Sequence, residues 1–264
     1  MVGAIGVTEP SAGSDVFSIR TQAKRDGDYY VINGRKIFIT NGTQADYITL
    51  LTKTDPDKAH HGFTLFVVPT DTPGFSVAKK LEKVGNHSSD TAELVFEDVR
   101  VPVANRIGEE GLGFIYQMKQ FQKERMIAAL GAAAGAQKML ERTVQYVKDR
   151  FVFGKPLALK QHVQFTLAEL QTEIELLRQF NYHCVRMYVA GEECTRETSM
   201  AKLAAGRLVR KVADWCLQFH GGYGYMDEYL VSRYWRDSRL LSIGGGADEV
   251  MLQIIAKLEG YSNV

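Results

Sequence analysis

An α+β protein, a β-barrel-like or sandwich domain followed by an antiparallel four-helix bundle, is what these 264 residues predict. Two observations carry that expectation. The first hundred or so residues are rich in β-branched and aromatic runs separated by turn residues, whereas beyond Gly111 apolar residues recur three and four apart. Strands followed by helices, rather than alternating with them, argue two domains. The boundary is placed near Arg106-Ile107-Gly108, giving domains of residues 1–106 and 107–264.

The elements follow in order. Asp28 to Ile32, then Asn33-Gly34, then Arg35 to Thr40 reads as a hairpin, because Asn-Gly accepts the positive φ angles of a type I′ turn. Further strands are expected at Tyr47–Thr54, Gly62–Pro69 and Thr91–Val101. The first long helix is expected over Gly113–Arg150, with Phe114, Met118, Phe121, Ile127, Met139, Val144 and Val147 as its apolar positions. Gln161–Tyr188 is a second, with Leu167, Leu170, Ile174, Leu177 and Phe180 on one face; Thr198–His220 and Asp248–Leu258 complete the bundle.

Composition excludes several classes. A net charge of +1 lacks the basic excess of a nucleic-acid binder. The apolar run Met126–Ala136 falls far short of the roughly 20 residues that span a bilayer, so no membrane segment is expected. No signal peptide is visible, and a soluble intracellular protein is expected. Three widely spaced cysteines form no CxxC pair and read as reduced thiols, and the six histidines show no metal-binding spacing.

Five segments could carry chemistry. Val7–Asp15 is a loop of small and hydroxylated residues that can turn N–H groups toward a phosphate or a ring, or simply be a surface turn. In Phe38–Gly42, Phe38 and Thr40 are two apart and so share a sheet face, suited to a flat cofactor or to core packing. Glu124-Arg125 sits among Phe121, Met126, Ile127, Ala128 and Ala129; a helical charged pair is usually solvated, but a desolvated carboxylate here would suit a general base. Gln218–Tyr225 places three glycines between helices, allowing close backbone approach. Ile243–Glu249 is a glycine-rich entry to the last helix.

In this order the segments resemble the acyl-CoA dehydrogenase family. TEPSAGSD is similar to the family's first signature and GGYGYMDEYLVSRYWRDSR to its second. DRFVFGKPLALKQHVQFTLAEL resembles the flavin-contacting turn between two helices. The resemblance implies FAD as cofactor and an acyl-CoA as substrate. A carboxylate would remove the α-proton while a hydride leaves the β-carbon for the flavin, giving a trans-2-enoyl-CoA; electrons would pass to an electron-transferring flavoprotein.

Many members carry the base in an Ile-Tyr-Glu-Gly-Thr segment. Here the matching residues are Ile243 to Ala247, and Gly245 stands where the glutamate would be. Long-chain and isovaleryl members place it on the first long helix before an arginine, which Glu124-Arg125 matches, so Glu124 is the expected base. Gly245 then leaves room for it and offers its N–H to the thioester carbonyl. The resemblance also implies Thr8 and Thr40 at the isoalloxazine edge and Phe38 on its face. It implies Ser14 at the pyrophosphate and Gly13 among the cofactor contacts, with Ser14, Arg125 and Gly245 toward the substrate. Arg150, Phe153, Gln161, Gln218 and Gly222 would reach the FAD of a neighbouring subunit; Ala247 and Glu249 match positions near the flavin's nucleotide part, Ala247 without the usual threonine hydroxyl. A homodimer or homotetramer is implied. So is a location in the bacterial cytoplasm or the mitochondrial matrix, according to source. The family's N-terminal helical domain is expected to be absent, since the chain begins almost at the first signature. An acyl-CoA oxidase and a non-catalytic fragment are the alternative expectations.

Overall fold

Alternating side chains and tight turns build the first part of the chain. In the computed structural model, which describes residues 1–261, the chain divides into two units between Gln120 and Phe121. In the first unit the strands are β1 (Gly3–Gly6), β2 (Gln22–Asp26), β3 (Tyr29–Thr40), β4 (Tyr47–Lys53), β5 (Phe63–Pro69), β6 (Phe75–Lys80), β7 (Thr91–Pro102) and β8 (Arg106–Ile107). They form one sheet in the order β6-β7-β3-β2-β4-β5-β8, with β1 parallel to β4. Strands β3 and β5 are three places apart, about 14 Å in a flat sheet. Yet the Tyr30 and Phe66 rings lie 4.7 Å apart. The sheet therefore curls over a single core that holds Tyr30, Ile32, Ile48, Leu50, Phe66, Leu94 and Phe96, as a barrel-like domain requires.

The expected Asn33-Gly34 hairpin is not formed. Strand β3 runs straight through both residues, and the turn lies earlier, at Gly27-Asp28 between β2 and β3. Asn-Gly signals positive φ, but here a bulge uses it. Gly34 has φ +154, and a Cβ would sit 2.7 Å from the Thr21 backbone. Asp98 of β7, at φ +50, donates its N–H to Asn33 Oδ1 (2.9 Å), and Asn33 Nδ2 donates to Asp98 Oδ1 (2.9 Å). The register shifts at this point and again between Lys36 and Ile39. Strands β1, β2, β6 and β8 escaped the sequence reading because they are short or polar.

The second unit contains α1 (Gly113–Asp149, which begins before the division), α2 (Gln161–Val189), α3 (Thr195–His220), α4 (Leu230–Ser238) and α5 (Asp248–Leu258). A two-residue ribbon, β9 (Phe151–Val152) with β10 (Lys155–Pro156), links α1 to α2. Helix α4 is the one not foreseen, being short and polar. On α1 Met139 and Val147 are buried as expected, and Ile127 is the expected position that is exposed. Ile127 is 66% exposed, and the buried apolar positions are Met126, Ala129, Ala132, Ala133, Ala136, Met139, Leu140 and Val147. Alanines let Leu170, Ile174 and Leu177 of α2 and Ala201, Ala205 and Leu208 of α3 join the same cluster. Asn181 Nδ2 donates to the Ala129 carbonyl across this seam (2.9 Å), satisfying a buried polar group. All three cysteines are free and buried. Among the described residues no helix is long and apolar enough to cross a membrane.

Candidate functional site

In the first unit the Val7–Asp15 loop is fixed to β3 by a buried ion pair. Lys36 Nζ lies 2.8 Å from Glu9 Oε1, and the side chains are 0% and 4% exposed. The ammonium also donates to the Val7 carbonyl at 2.9 Å. Glu9 further accepts the N–H groups of Thr21 (2.9 Å) and Arg20 (2.6 Å). Reciprocal backbone bonds between Glu9 and Ala12 close the turn around Pro10 and Ser11. The Ile37 N–H donates to the Thr8 carbonyl (2.9 Å). Thr8 is thereby held beside Phe38, which sits at φ +61 in the second bulge and is 66% exposed. Thr40, Gly13 and Ser14 are also exposed. Phe38 and Thr40 do share the outward face, although simple alternation is interrupted by the bulge just before Ile39.

Burial alone would raise the Glu9 pKa, but the Lys36 charge and the three donated hydrogen bonds hold it below the usual 4.5. Burial pulls Lys36 from 10.5 down to about 8 against the opposing pull of Glu9. The pair is thus ionised at neutral pH. Both folded values lie below the unfolded ones, so the unfolded chain binds more protons in each window and stability rises with pH there. Stability should fall as pH drops below 4.5 through the Glu9 titration, and rise between about pH 8 and 10.5 as buried Lys36 is relieved of its charge. Urea midpoints across pH check this: Glu9→Gln should flatten the acid slope and Lys36→Met the alkaline one.

In the second unit Glu124 is half-buried on α1, and its neighbour Arg125 is buried at 7% exposure. Arg125 Nε donates to the Gly245 carbonyl at 3.2 Å. Burial pulls the guanidinium pKa down, and the Glu124 carboxylate opposes that. Gly245 and Gly246 have φ +66 and +100, and a Cβ on Gly245 would meet nothing within 4 Å. The charged pair is therefore not a solvated face. Ala247 caps α5 and is half-buried, and Glu249 is exposed in its first turn. Lys202 of α3 is fully buried and donates to the Gly246 carbonyl.

A pocket of about 490 Å³ is lined by Arg150, Gln218, His220, Gly221, Gly222, Tyr223 and Tyr146, among others. It brings together three of the residues expected to reach a neighbouring subunit's cofactor: Arg150, Gln218 and Gly222. Phe153 and Gln161 lie outside it. Phe153 is 96% exposed at the tip of the β9–β10 ribbon, with the Lys160 ammonium 5.7 Å from its ring, and Gln161 is exposed at the start of α2. The floor was not foreseen. His220 stacks on Tyr146 at 4.1 Å, and Tyr146 Oη donates to the His220 carbonyl at 3.1 Å. Burial lowers the imidazole pKa, leaving a neutral ring bonded through Nδ1 to the Cys216 carbonyl.

Lys36 and Lys202 were the residues missed. Each had a periodic signal: Lys36 falls in step with inward Tyr30 and Ile32, and Lys202 lies on the buried face of α3 between Thr198 and Ala205.

A strand domain with an ordered surface loop and an exposed aromatic, followed by a helical domain with an acid–arginine pair at a glycine turn, defines a two-domain α+β class of protein. Residues 4–99 match the acyl-CoA dehydrogenase middle domain and residues 111–259 the acyl-CoA dehydrogenase C-terminal domain. The chain belongs to the acyl-CoA dehydrogenase family. It is 43% identical over 258 residues to the mitochondrial long-chain specific acyl-CoA dehydrogenase of Sus scrofa, an alignment covering 97% of this chain and 60% of that protein. It is 41% identical over 254 residues to the short-chain specific acyl-CoA dehydrogenase of Megasphaera elsdenii, covering 96% of this chain and 66% of that one. The crystal structure of an acyl-CoA dehydrogenase from Geobacillus kaustophilus is 48% identical, with a TM-score of 0.95 over 97% of this chain and 68% of that one. The chain thus spans about 60% of the length of the long-chain relative.

Proposed function

We propose that the chain serves FAD-dependent α,β-dehydrogenation of an acyl-CoA thioester to a trans-2-enoyl-CoA, with Glu124 as the base and an electron-transferring flavoprotein as acceptor. One observation carries the choice of base. The residue after Glu124 is tied to the Gly245 carbonyl, while Gly245 itself has no side chain and open space in front of it. The division of labour follows the expected domains, 1–106 and 107–264.

The residues present fit a flavin. Phe38 offers an exposed ring face, Thr40 is exposed two residues on, and the Thr8 carbonyl is bonded to the N–H of Ile37 next to Phe38. Gly13 and Ser14 supply an open backbone for phosphate oxygens, since a Cβ on Gly13 would meet nothing within 4 Å. Arg150 and Gln218 bring a cation and an amide to the pocket that Gly221 and Gly222 leave open, and we assign it to the cofactor of a partner subunit in a homodimer or homotetramer. Bound with its ring at Phe38, the flavin would supply a hydride acceptor. Glu124 takes the α-proton, and the Gly245 N–H is the donor for the thioester oxygen, whose developing charge must be stabilised for so weak an acid to ionise. Arg125 holds the turn against the helix that carries the base.

The visible spectrum of the purified protein, before and after adding acyl-CoAs without oxygen, tests this. Bleaching of bound flavin supports it, and the most effective acyl-CoA names the chain length. Similar identity to long-chain and short-chain relatives leaves that length to the experiment. Reoxidation of the reduced flavin by oxygen would mark an acyl-CoA oxidase instead. The 60% coverage of the long-chain relative favours a second reading, in which activity belongs to a longer chain; colourless protein that takes up no FAD is its sign.

Restoring a carboxylate at the alternative position is expected to rescue partly. Gly245→Glu placed on Glu124→Gln meets open space, and the left-handed φ of +66 costs about 1–2 kcal/mol. The rate of anaerobic flavin bleaching in the double variant, set against Glu124→Gln alone, measures it.

A further inference from the structure

The glycine turn before α5 is held from both sides. Upstream, the N–H groups of Ile243 and Gly244 both donate to the Leu240 carbonyl at 2.8 Å. Downstream, two buried cations take successive carbonyls: Arg125 Nε that of Gly245 at 3.2 Å, and the Lys202 ammonium that of Gly246. A lysine buried to 0% exposure loses several kcal/mol of hydration, so it demands strong acceptors. Asp248, 8% exposed, lies near enough to favour its charge. The peptides on either side of Gly246 are therefore pinned at their oxygens. Two left-handed glycines have no intrinsic preference that would fix them. Among the described residues no backbone carbonyl accepts the Gly245 N–H.

We propose that Lys202, acting with Arg125, is a positioning residue that fixes the glycine turn so that the Gly245 N–H is aimed at the oxygen of an acyl thioester as it becomes enolate-like. This rests on the acyl-thioester reading given above. Lys202 does not touch the substrate; it acts through the Gly246 carbonyl. A donor is effective only when aimed at where charge develops, and removing one such donor outright costs on the order of 100-fold or more. A donor that is loosened but present should cost about tenfold.

Lys202→Met tests this, with the flavin-loaded protein and acetoacetyl-CoA, a thioester whose acidic α-carbon reports enolate stabilisation by its ultraviolet absorption without turnover. Lys202→Met should raise the apparent pKa of the bound probe by about one unit, with binding of plain CoA unchanged and Lys202→Arg recovering part of the shift. In a [15N]glycine spectrum, the Gly245 signal, assigned by its loss in Gly245→Ala, should broaden or move. A folded Lys202→Met with the wild-type enolate pKa overturns the proposal, whether or not the glycine signal moves. If wild-type protein leaves the probe's pKa at its free value, the acyl-thioester reading fails; an unmoved Gly245 signal in the variant then refutes the clamp independently. Should Lys202→Met not fold, Lys202→Gln, which keeps one donor, takes its place in both measurements.

Discussion

Glu124→Gln should abolish α-proton abstraction while leaving the protein folded and the flavin bound. Glutamine keeps the shape and removes the basic oxygen. A positioned general base contributes about 10²–10⁴ in rate, so anaerobic flavin bleaching by the best acyl-CoA should slow by at least a hundredfold. The Arg125 guanidinium would lose the carboxylate that favours its charge, but its bond to the Gly245 carbonyl would remain. A drop in melting temperature with undiminished bleaching would remove Glu124 from the chemistry. The intended pattern is the reverse: unchanged melting, unchanged flavin spectrum and lost bleaching.

The second large effect is structural. Lys36→Met strands the Glu9 carboxylate at 4% side-chain exposure. Removing one partner of a buried pair costs about 3–5 kcal/mol, although two backbone N–H groups still bond the carboxylate. Urea unfolding of the first unit should register this loss. The double variant Glu9→Gln/Lys36→Met should recover part of it, because no unpaired charge stays buried. The loop that bears Thr8, Gly13 and Ser14 should loosen in the single variant, and FAD affinity should fall with it. Full FAD affinity in a destabilised Lys36→Met would separate the ion pair from the cofactor loop.

The long helices were legible because their period is sustained. Helix α5 was read at its observed bounds, and α2 to within one residue of its end. The segregation of strands from helices gave the α+β class. The failures share one cause, the local use of a signal that has two meanings. Asn33-Gly34 announces positive φ, but a hairpin and a bulge both want it, and only the pairing of β3 with β7 decides between them. Ile127 looks like core by composition, yet the α1 seam is a row of alanines one step away in phase. At the site, Glu124 and the glycine turn could be named from sequence. The carbonyls that Arg125 and Lys202 occupy could not, because they are backbone atoms 120 and 44 residues distant.

The paired irregularities in β3 and β7 bear on which length changes the domain can survive. Partner numbers across the two strands sum to 131 as far as Ile32↔Val99, to 130 from Gly34↔Phe96 to Lys36↔Leu94, and to 131 again from Ile39↔Ala92. One extra residue in β7 is cancelled by one extra residue in β3. Deleting the extra residue at either bulge would leave the pairs on both sides matched, whereas a deletion in the regular stretch between Gly34 and Lys36 would put the ladder out of step and turn its side chains inside out. Loss of one residue in this stretch should therefore be tolerated at the two bulges, near Asp98 of β7 and near Phe38 of β3, and not between them.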